Sequence, residues 1–544
     1  MAPPYPIVEA EPRERNLVRL GSEVFDLAII GGGITGAAVA RDAAMRGLKT
    51  ALVDKGDFGG ATSSRSSKLI HGGLRYLPHG QLRLVYHALR ERERLRHVTA
   101  PHLVHPIEFL FPFYRGRHPS SFAVSAGLVL YDFFAHLPRG ERHRRLDRDE
   151  VQVREPALKP DGLKGGASYL DAWTDDARIT LENVLDAADH GAAVANYVEI
   201  TGFSNVGTRI GAILARDRET SKSFEIRAGA FVNAAGAWSD DLRRMDDPGC
   251  SPSLRLTKGV HLVVAASRLP LKNSLVLTDD AGRVVFAMPR DGYVLIGTTD
   301  TDFDGDRENA APEPEDIDYL LSVVAEFSRE SRLEHRDVEA WFAGLRALAI
   351  SGKGRPSSVS REEVILAAGS GLITVAGGKL TTHREIAEHV VDLAMKALGK
   401  PAGKCPTLAT PLPGARPGAQ ADYLTYSLSA DVARALRSRY GSRAEIVCQL
   451  AMQCPDWAEW LAPEAAVIGA EVIYAIRHEF ARSIGDFIVR RTAMTWRAPG
   501  VVLEAAPRVA RLMAVELGWD AARERRELDS FSAYVKSQMG IGRN

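Results

Sequence analysis

The most constraining feature of the sequence is a glycine-rich turn between an apolar strand and a helix of small residues. The segment FDLAIIGGGITG places Gly31, Gly33 and Gly36 in the spacing GxGxxG directly after the strand pattern. An alanine-rich helix pattern follows, and a second apolar strand pattern, LKTALVD, ends at Asp54. This order of strand, helix and strand within about thirty residues predicts a βαβ unit with a parallel sheet.

The glycine turn in this setting predicts a dinucleotide site. Gly31 permits the tight turn, Gly33 lets the backbone approach a pyrophosphate, and Gly36 lets the helix pack closely on the strand. The helix N-terminus adds unpaired N–H groups and a partial positive charge. Asp54 is placed to accept hydrogen bonds from an adenosine ribose. The glycine spacing alone does not distinguish NAD from FAD.

Two further segments favour FAD. Residues 61–77, ATSSRSSKLIHGGLRYL, form a long polar loop where a simple nicotinamide domain would continue with another helix and strand. A second glycine site, VNAAGAW at 232–238, returns to the nucleotide domain much later in the chain. This divided arrangement suits a large, extended cofactor such as FAD.

A chain of 544 residues is long enough for two or more domains. We predict an α/β fold with a Rossmann-like FAD-binding domain, an antiparallel substrate sheet and an all-helical C-terminal domain. Residues 255–300 alternate between apolar and polar, as antiparallel strands with one wet face do. After residue 420, the apolar residues recur with the spacing of helices. The predicted boundaries are a flexible tail at 1–23, an oxidoreductase region at 24–405, a Pro/Gly-rich linker at 406–420 and the helical domain at 421–544. Within the oxidoreductase region, we assign the FAD-binding parts to about 24–100, 176–250 and 340–400, and the substrate sheet mainly to 101–175 and 251–339.

Composition excludes several other classes of protein. The formal net charge is zero, so nothing draws the chain to nucleic acid. Four scattered cysteines without a CxxC pair do not support a disulfide framework or a zinc site, and no metal is predicted. Apolar runs are too short to cross a bilayer, and the first residues lack the apolar core of a signal peptide. We therefore expect a cytoplasmic protein whose contact with a membrane, if it has one, is peripheral.

Three segments are charged or apolar enough to be considered for contact with a membrane. The charged face of a predicted helix at 82–98 is interpreted as solvated, and residues 139–150, RGERHRRLDRDE, as an exposed loop. Directly before that loop lies LVLYDFFAHL at 128–137, whose aromatic residues would suit a headgroup boundary with the arginines facing anionic lipid. The alternative for this region is a buried helix followed by a charged loop.

Four segments resemble the aerobic glycerol-3-phosphate dehydrogenase family, which belongs to the FAD oxidoreductases related to D-amino-acid oxidase. They are IGGGITGAAVARDAAMRGL, ATSSRSSKLIHGGLRYL, GTTDTDFDGD and GGKLTTHR. The similarity runs from Phe25 to the C-terminus and includes DFIVRRT at 486–492. It implies noncovalent FAD, oxidation of sn-glycerol 3-phosphate to dihydroxyacetone phosphate by hydride transfer to flavin N5, and electron delivery to a quinone from the inner face of the cell membrane.

Other functions stay open at this point. The same site would serve a glycerol-3-phosphate oxidase that reduces O₂ to peroxide, and a homodimer is possible. The wider group also contains amine, amino-acid and hydroxy-acid oxidoreductases, although two arginines, Arg346 and Arg361, and the SSKLIHGGLRYL loop argue against them. A regulatory protein that keeps FAD without catalysis is the alternative from another class.

The resemblance implies roles for individual residues. Arg346 in GLRAL and Arg361 in SSVSREE would bind the substrate phosphate, since guanidinium groups bind phosphate bidentately. Lys379 in GGKLTTHR, at the start of a helix, would favour negative charge on the reduced flavin. His261 would contact the C2 oxygen of the substrate and act as a base. Further implied substrate contacts are Arg75 and Tyr76.

Two departures from the family pattern affect the loops around these residues. Ala347 follows Arg346 where the family commonly has proline, and the segment between Arg361 and the GGK motif is short. The residues expected to hold FAD are Gly31, Gly33, Gly36, Asp54, Thr62, Ser63, Ser64, Lys68, Leu69, His71, Gly72, Gly73, Val198, Ala235, Gly236, Gly378, Lys379, Leu380 and Thr381.

Overall fold

The computed structural model describes residues 13–117, 120–329, 332–350, 363–417, 426 and 428–543. Its strands are β1 (Val24–Ile30), β2 (Thr50–Val53), β3 (Leu69–Ile70), β4 (His105–Tyr114), β5 (Arg144–Leu146), β6 (Leu163–Trp173), β7 (Ala193–Ala195), β8 (Val198–Val206), β9 (Arg209–Asp217), β10 (Ser223–Asn233), β11 (Leu254–Ala265), β12 (Ser274–Thr278), β13 (Val284–Arg290), β14 (Tyr293–Gly297), β15 (Thr301–Asp302), β16 (Val338–Ala349), β17 (Val364–Ala367), β18 (Leu372–Ala376), β19 (Trp460–Ala462) and β20 (Val467–Ile468).

The helices surround these strands and dominate the C-terminal part of the chain. They are α1 (Arg13–Ser22), α2 (Ile34–Met45), α3 (Leu82–Arg94), α4 (Ser121–Ala135), α5 (Arg148–Arg154), α6 (Asp176–Asp189), α7 (Ser239–Asp246), α8 (Pro314–Phe327), α9 (His383–Ala397), α10 (Ala430–Tyr440), α11 (Ala444–Ala451), α12 (Pro455–Ala458), α13 (Gly469–Glu479), α14 (Met494–Arg497), α15 (Val502–Leu517) and α16 (Ala521–Met539).

The first sheet is the predicted nucleotide sheet, with strand order β17-β18-β10-β1-β2-β7 and the β8–β9 hairpin attached to β10. Strand β1 is parallel to both β2 and β10, and β10 is parallel to β18. Its central strands are apolar and buried on both faces, as covered parallel strands are. Because α2 is rich in alanine, it packs closely against this sheet and against α6 and α9.

The second sheet is largely antiparallel and has the order β15-β11-β14-β13-β12-β4-β6-β3, with β16 paired to β11 and β5 to β6. This agrees with the alternating patterns in the sequence, and the fold class is as predicted. Two segments that we placed in FAD-binding parts belong to this second sheet. Residues 340–349 lie in β16, which pairs with β11 along nearly its whole length, and residues 69–70 form β3, which pairs with β6.

Part of the expected N-terminal tail is a packed helix. In α1, Leu20 is fully buried, Asn16 donates a hydrogen bond to the Val194 carbonyl (2.9 Å), and Arg13 is paired with buried Asp217. The sequence analysis missed this helix because charged residues dominate the segment and few apolar residues mark its buried face. The residues before 13 lie outside the described part of the chain.

The Pro/Gly-rich segment at 406–417 is packed rather than exposed. Leu412 is buried and its N–H donates to the Thr99 carbonyl (2.7 Å), while the Gly414 N–H donates to the Glu182 carboxylate (2.8 Å). Over these residues the predicted linker is therefore packed against the FAD-binding part of the chain. Residues 418–420 lie outside the description.

Two charged segments also differ from expectation. Residues 139–150 are not one loop, since they contain β5 and the start of α5, whose first turn Asp147 caps through the Glu150 N–H. On α3, Arg92 is buried and paired with Asp171 (2.7 Å) instead of being solvated.

The C-terminal part is helical, as predicted, with one small hairpin, β19–β20. Buried residues of α10, α11 and α13 form an apolar cluster within this part, but a second set of its residues packs into the core beside the second sheet. Its buried Phe487, Met494 and Val509 belong to the same apolar cluster as Phe109 and Leu128 beside the second sheet. In the described part of the chain, every helix is either too short or too polar to cross a bilayer.

Candidate active site

The turn between β1 and α2 leaves room only for glycine at two positions. Gly31 has a φ of +104°, and a Cβ there would lie 2.6 Å from the Ala234 carbonyl oxygen. A Cβ on Gly36 would lie 1.8 Å from the Gly31 carbonyl oxygen. At the helix N-terminus, the Ile34 N–H donates to the Ser63 hydroxyl (2.9 Å). The turn therefore presents backbone N–H groups and one hydroxyl, which is the chemistry of an anion site.

Asp54 ties the end of β2 to this turn. One carboxylate oxygen accepts a hydrogen bond from the Gly32 N–H (2.7 Å) and the other from the Gly56 N–H (2.8 Å). Burial raises the pKa of Asp54 to about 6, against the opposing effect of these two donors. The carboxylate keeps lone pairs for a further donor such as a ribose hydroxyl.

A cavity of about 1540 Å³ begins at this turn and extends to the second sheet. That exceeds the usual volume of a pocket for one small ligand, roughly 300–1,000 Å³, and suits an extended cofactor together with a substrate. Most of the predicted site residues line it: Gly31, Gly33, Asp54, Thr62, Ser63, Leu69, His71, Gly73, Tyr76, Val198, Ala235, Gly236, His261, Arg346, Gly378, Lys379, Leu380 and Thr381.

Four residues expected to hold FAD lie beside the cavity instead: Gly36, Ser64, Lys68 and Gly72. Gly36 packs under the glycine turn, and the other three belong to the polar loop. The Lys68 ammonium pairs with buried Asp176 (2.6 Å), and the Ser64 hydroxyl donates to the Ala61 carbonyl (3.3 Å). The Gly72 N–H donates to the Tyr131 hydroxyl (2.8 Å). Ser64, Lys68 and Gly72 therefore hold the conformation of the loop and do not form its surface toward the cavity. Arg361 and the side chain of Arg75 lie outside what the structure describes.

His261 lies on β11 and is buried against the cavity. Its Nε2 is 2.8 Å from the Ser67 hydroxyl, and its ring stacks on Phe342 with centroids 4.8 Å apart. Burial lowers the pKa of His261 well below its usual range, and the charges of Arg346 and Lys68 lower it further. The imidazole is therefore neutral near pH 7 and offers a lone pair to a donor.

Arg346 lies on β16, opposite Thr257 of β11. Its Nη2 donates to the Thr298 hydroxyl (2.8 Å), and its Nη1 donates to the Thr299 carbonyl (3.1 Å) and the Asp300 carboxylate (3.2 Å). These three acceptors fix the plane of the guanidinium at the cavity wall. A positioned, planar cation of this kind is suited to binding a phosphate.

Lys379 lies between β18 and α9, after two glycines with positive φ, Gly377 (+78°) and Gly378 (+91°). Its ammonium is 4.0 Å from the centroid of the Tyr76 ring. The same ammonium would be 3.3 Å from a Cβ on Gly73. The lysine ammonium thus lies beside the polar loop of residues 61–77, at the cavity and close to the N-terminus of α9.

The sequence analysis missed several residues that surround these groups. Ser67, Thr298 and Asp300 hold His261 and Arg346, and all three line the cavity. The GTTD motif was quoted only as a point of resemblance, although its threonine and aspartate are the signal that would have found two of them. Two further cavity residues come from the C-terminal domain. Arg490 lies in the DFIVRRT segment, which was quoted only as a point of resemblance, and Tyr534 lies in none of the quoted motifs.

The glycine turn, the long cavity and the sheet bearing His261 and Arg346 define a dinucleotide-dependent oxidoreductase. Residues 26–384 match the FAD dependent oxidoreductase family, and residues 405–524 match the C-terminal domain of alpha-glycerophosphate oxidase. The class is therefore that of FAD-dependent oxidoreductases. The cavity fits this cofactor, because Gly236 lines it with no atom within 4 Å of where a Cβ would be.

Similar proteins narrow the class. The aerobic glycerol-3-phosphate dehydrogenase of Staphylococcus haemolyticus is 37% identical over 490 residues, 87% of each chain, and that of Staphylococcus aureus is 36% identical over 528 residues, 94% of each. The structure of the glycerol-3-phosphate dehydrogenase from Bacillus halodurans complexed with FAD superposes with a TM-score of 0.80 at 32% identity, covering 97% of this chain and 98% of that one. The chain belongs to the aerobic glycerol-3-phosphate dehydrogenase family, and the predicted cofactor, FAD, is confirmed.

Proposed function

We propose that the protein oxidises sn-glycerol 3-phosphate to dihydroxyacetone phosphate and passes the electrons to a quinone in the membrane. The observation that carries the proposal is the pairing of β11 with β16. It brings neutral His261 and cationic Arg346 to one wall of the cavity that begins at the glycine turn. A phosphate monoester that carries a hydroxyl group would use both, the arginine for its phosphate and the histidine for its hydroxyl. The similar Staphylococcus proteins are named for glycerol 3-phosphate.

Arg346 is the proposed phosphate ligand. Its hydrogen bonds to Thr298, Thr299 and Asp300 hold the guanidinium in place before any substrate arrives. A guanidinium fixed in advance loses little side-chain entropy on binding, so more of the charge attraction appears as affinity. Arg361 and Arg75 remain proposed further contacts on the strength of the family resemblance.

His261 is the proposed partner of the C2 hydroxyl. Because its pKa lies well below the usual range, the ring stays neutral and can accept the hydroxyl hydrogen. The Ser67 hydroxyl contacts Nε2 and restrains the ring, together with the stacked Phe342. FAD, when bound, supplies the acceptor for the C2 hydride at N5. Lys379 and the N-terminus of α9 together favour negative charge at their end of the cavity.

Helix α4 supports the membrane part of the proposal. One face, with Val124, Gly127 and Leu130, lines the cavity. The opposite side exposes Phe122 (82%), Val129 (59%) and Phe133 (72%) to solvent. A single helix thus separates the cavity from an exposed apolar surface, and exposed surfaces of this kind mark membrane or protein contacts. A lipid-soluble acceptor would reach the cavity from this side.

Anaerobic reduction of the purified flavoprotein tests the substrate. Glycerol 3-phosphate should bleach the flavin absorbance, whereas glycerol and glycine, which lack the phosphate, should not at equal concentration. Steady-state turnover with a quinone analogue should exceed O₂ consumption by a wide margin. A flavin that stays oxidised would refute the substrate, and equal rates with O₂ would make the protein an oxidase.

A further inference from the structure

The C-terminal domain forms part of the wall of the cofactor cavity. Near the loop that follows β2, the lining includes Ser483, Gly485 and Arg490. Helix α16 adds residues from its middle turns, Glu527, Ser530, Phe531 and Tyr534. This domain therefore lines the cavity that suits FAD, although nothing in its sequence resembles a nucleotide motif.

The domain holds the cofactor-facing loop, residues 54–65, at two points. Near its start, Asp57 is buried and paired with Arg490 and Arg491, the latter at 2.5 and 2.9 Å. At its end, Arg65 donates through Nη2 to the Tyr534 hydroxyl of α16 (3.1 Å). Between these points lie Gly60 to Ser63, and Ser63 is the residue whose hydroxyl caps the turn at α2.

The second point is also where the loop meets the substrate sheet. The Thr62 hydroxyl donates to the Leu345 carbonyl (2.7 Å), and Arg65 Nη1 donates to the Ala343 carbonyl (3.3 Å). The two backbones approach so closely that a Cβ on Gly344 would lie 2.4 Å from the Arg65 carbonyl oxygen. Arg65 therefore lies where the cofactor loop meets β16, and Tyr534 contacts this point through its hydrogen bond with Arg65. Arg346 lies on the same strand, next to Leu345.

We propose that α16 is part of the FAD site and that Tyr534, through Arg65, closes the cofactor loop and slows FAD release. Tyr534 lines the cavity and its hydroxyl accepts a hydrogen bond from Arg65, so this one residue would both cover the cofactor and hold the arginine. Helix α16 is anchored independently at its C-terminal end, where the Arg543 guanidinium stacks on Trp341 of β16 at 3.2 Å. Loss of the Tyr534 contact would therefore loosen the loop without detaching the helix. The proposal does not depend on which substrate the enzyme oxidises.

Release of FAD from the holoenzyme tests this role directly. After dilution, the rise of free flavin fluorescence gives the dissociation rate for wild type, Tyr534→Phe and Tyr534→Ala. Removing one hydrogen bond should speed release about two- to tenfold in Tyr534→Phe, and Tyr534→Ala, which also uncovers the cavity, should release faster still. If Tyr534→Ala yields no holoenzyme, Tyr534→Phe decides alone.

Two comparisons separate this role from general destabilisation. Arg525→Ala removes an exposed side chain from the same helix and should leave the release rate unchanged. In an Arg65→Met background, Tyr534→Phe should add little, because the partner is already gone. Wild-type release rates in Tyr534→Phe would overturn the proposal. Equal acceleration by Arg525→Ala would also overturn it.

Discussion

The guanidinium of Arg346 occupies the space in which a side chain at Gly259 would lie. A Cβ on Gly259 would come 2.4 Å from Nη2 and 2.6 Å from Cζ of Arg346. The backbone of β11 is thus the floor on which the guanidinium rests, while Thr298 and Asp300 hold its edges. The position of the proposed phosphate ligand is therefore set by an absent side chain on the neighbouring strand as much as by its hydrogen bonds.

Gly259→Ala should displace Arg346 and weaken substrate binding. The added methyl group cannot fit, so the guanidinium must move away from its acceptors, and we expect the KM for glycerol 3-phosphate to rise roughly tenfold, the cost of about one charge-assisted hydrogen bond. The FAD content should not change. Gly369→Ala, at a position with no atom within 4 Å of the new Cβ, is the matched control. An unaltered KM in Gly259→Ala would contradict this account.

Arg346→Ala tests the phosphate contact itself. Loss of a hydrogen bond to a charged group costs about 1.5–3 kcal/mol, so kcat/KM should fall roughly ten- to hundredfold while FAD remains bound. The control is Arg255→Ala on β11, whose exposed guanidinium pairs with Asp302 (2.6 Å). If both variants lose activity equally, Arg346 has no special role.

The sequence predicted those features of the fold that depend on residues close together in the chain. The glycine turn, the parallel strands around it and the antiparallel second sheet are local patterns, and the structure contains all of them. Packing between distant segments is not a local pattern. The burial of Leu412 against the nucleotide domain and of Arg92 beside Asp171 depends on partners far away in the chain.

The site shows the same division. Several residues of conspicuous motifs line the cavity, among them Gly31, Gly33, Gly73 and Lys379. Lys68 was assigned to the cofactor because its loop faces it, but a buried partner, Asp176, lies 108 positions further along and turns the side chain away. Tyr534 had no motif at all, so only the three-dimensional structure could bring it to the cavity.

Lys379→Met should make the flavin harder to reduce. Removing a positive charge from the cavity destabilises negative charge that develops there, so the reduction potential should become more negative and hydride transfer slower. Equilibration with redox dyes measures the potential, and stopped-flow absorbance measures the rate. Lys396→Met, in the last turn of the same helix, is the control. An unshifted potential would assign Lys379 a different role.

His383 should make the protein less stable in acid. Burial lowers its pKa to about 4 in the folded state, against about 6.5 in the unfolded chain. Between these values the unfolded chain binds a proton that the folded protein does not, so stability is lost as the pH falls from 6.5 toward 4. The loss is at most about 1.4 kcal/mol per pH unit. The stability difference between wild type and His383→Gln should therefore shrink over this range.

A second histidine provides a control of opposite sign. Its hydrogen bond to Asp186 raises the pKa of His190, so that its stabilising contribution is present below about 6.5 and is lost as the pH rises through the folded value. Melting temperatures should show the cost of His190→Gln growing as the pH falls, while that of His383→Gln declines. Parallel trends in the two variants would contradict both assignments.

The exposed side of α4 should bind anionic membranes. Phe122, Val129 and Phe133 supply the apolar contact. The exposed Arg142, Arg144 and Arg145 follow within a few residues and would face lipid phosphates at about 1 kcal/mol each. Co-sedimentation with vesicles that contain phosphatidylglycerol should exceed that with phosphatidylcholine alone and should weaken with added salt.

Two sets of variants separate the apolar and the electrostatic contributions. Changing Phe122 and Phe133 to serine should reduce binding even at low salt, because apolar burial is not screened. Charge reversal to glutamate at Arg142, Arg144 and Arg145 should weaken binding to anionic vesicles by more than about tenfold. The same reversal at Arg434, Arg525 and Arg526, exposed arginines on α10 and α16, changes the net charge equally and should have a smaller effect. No sedimentation under any condition would contradict the membrane contact and would favour O₂ as the electron acceptor.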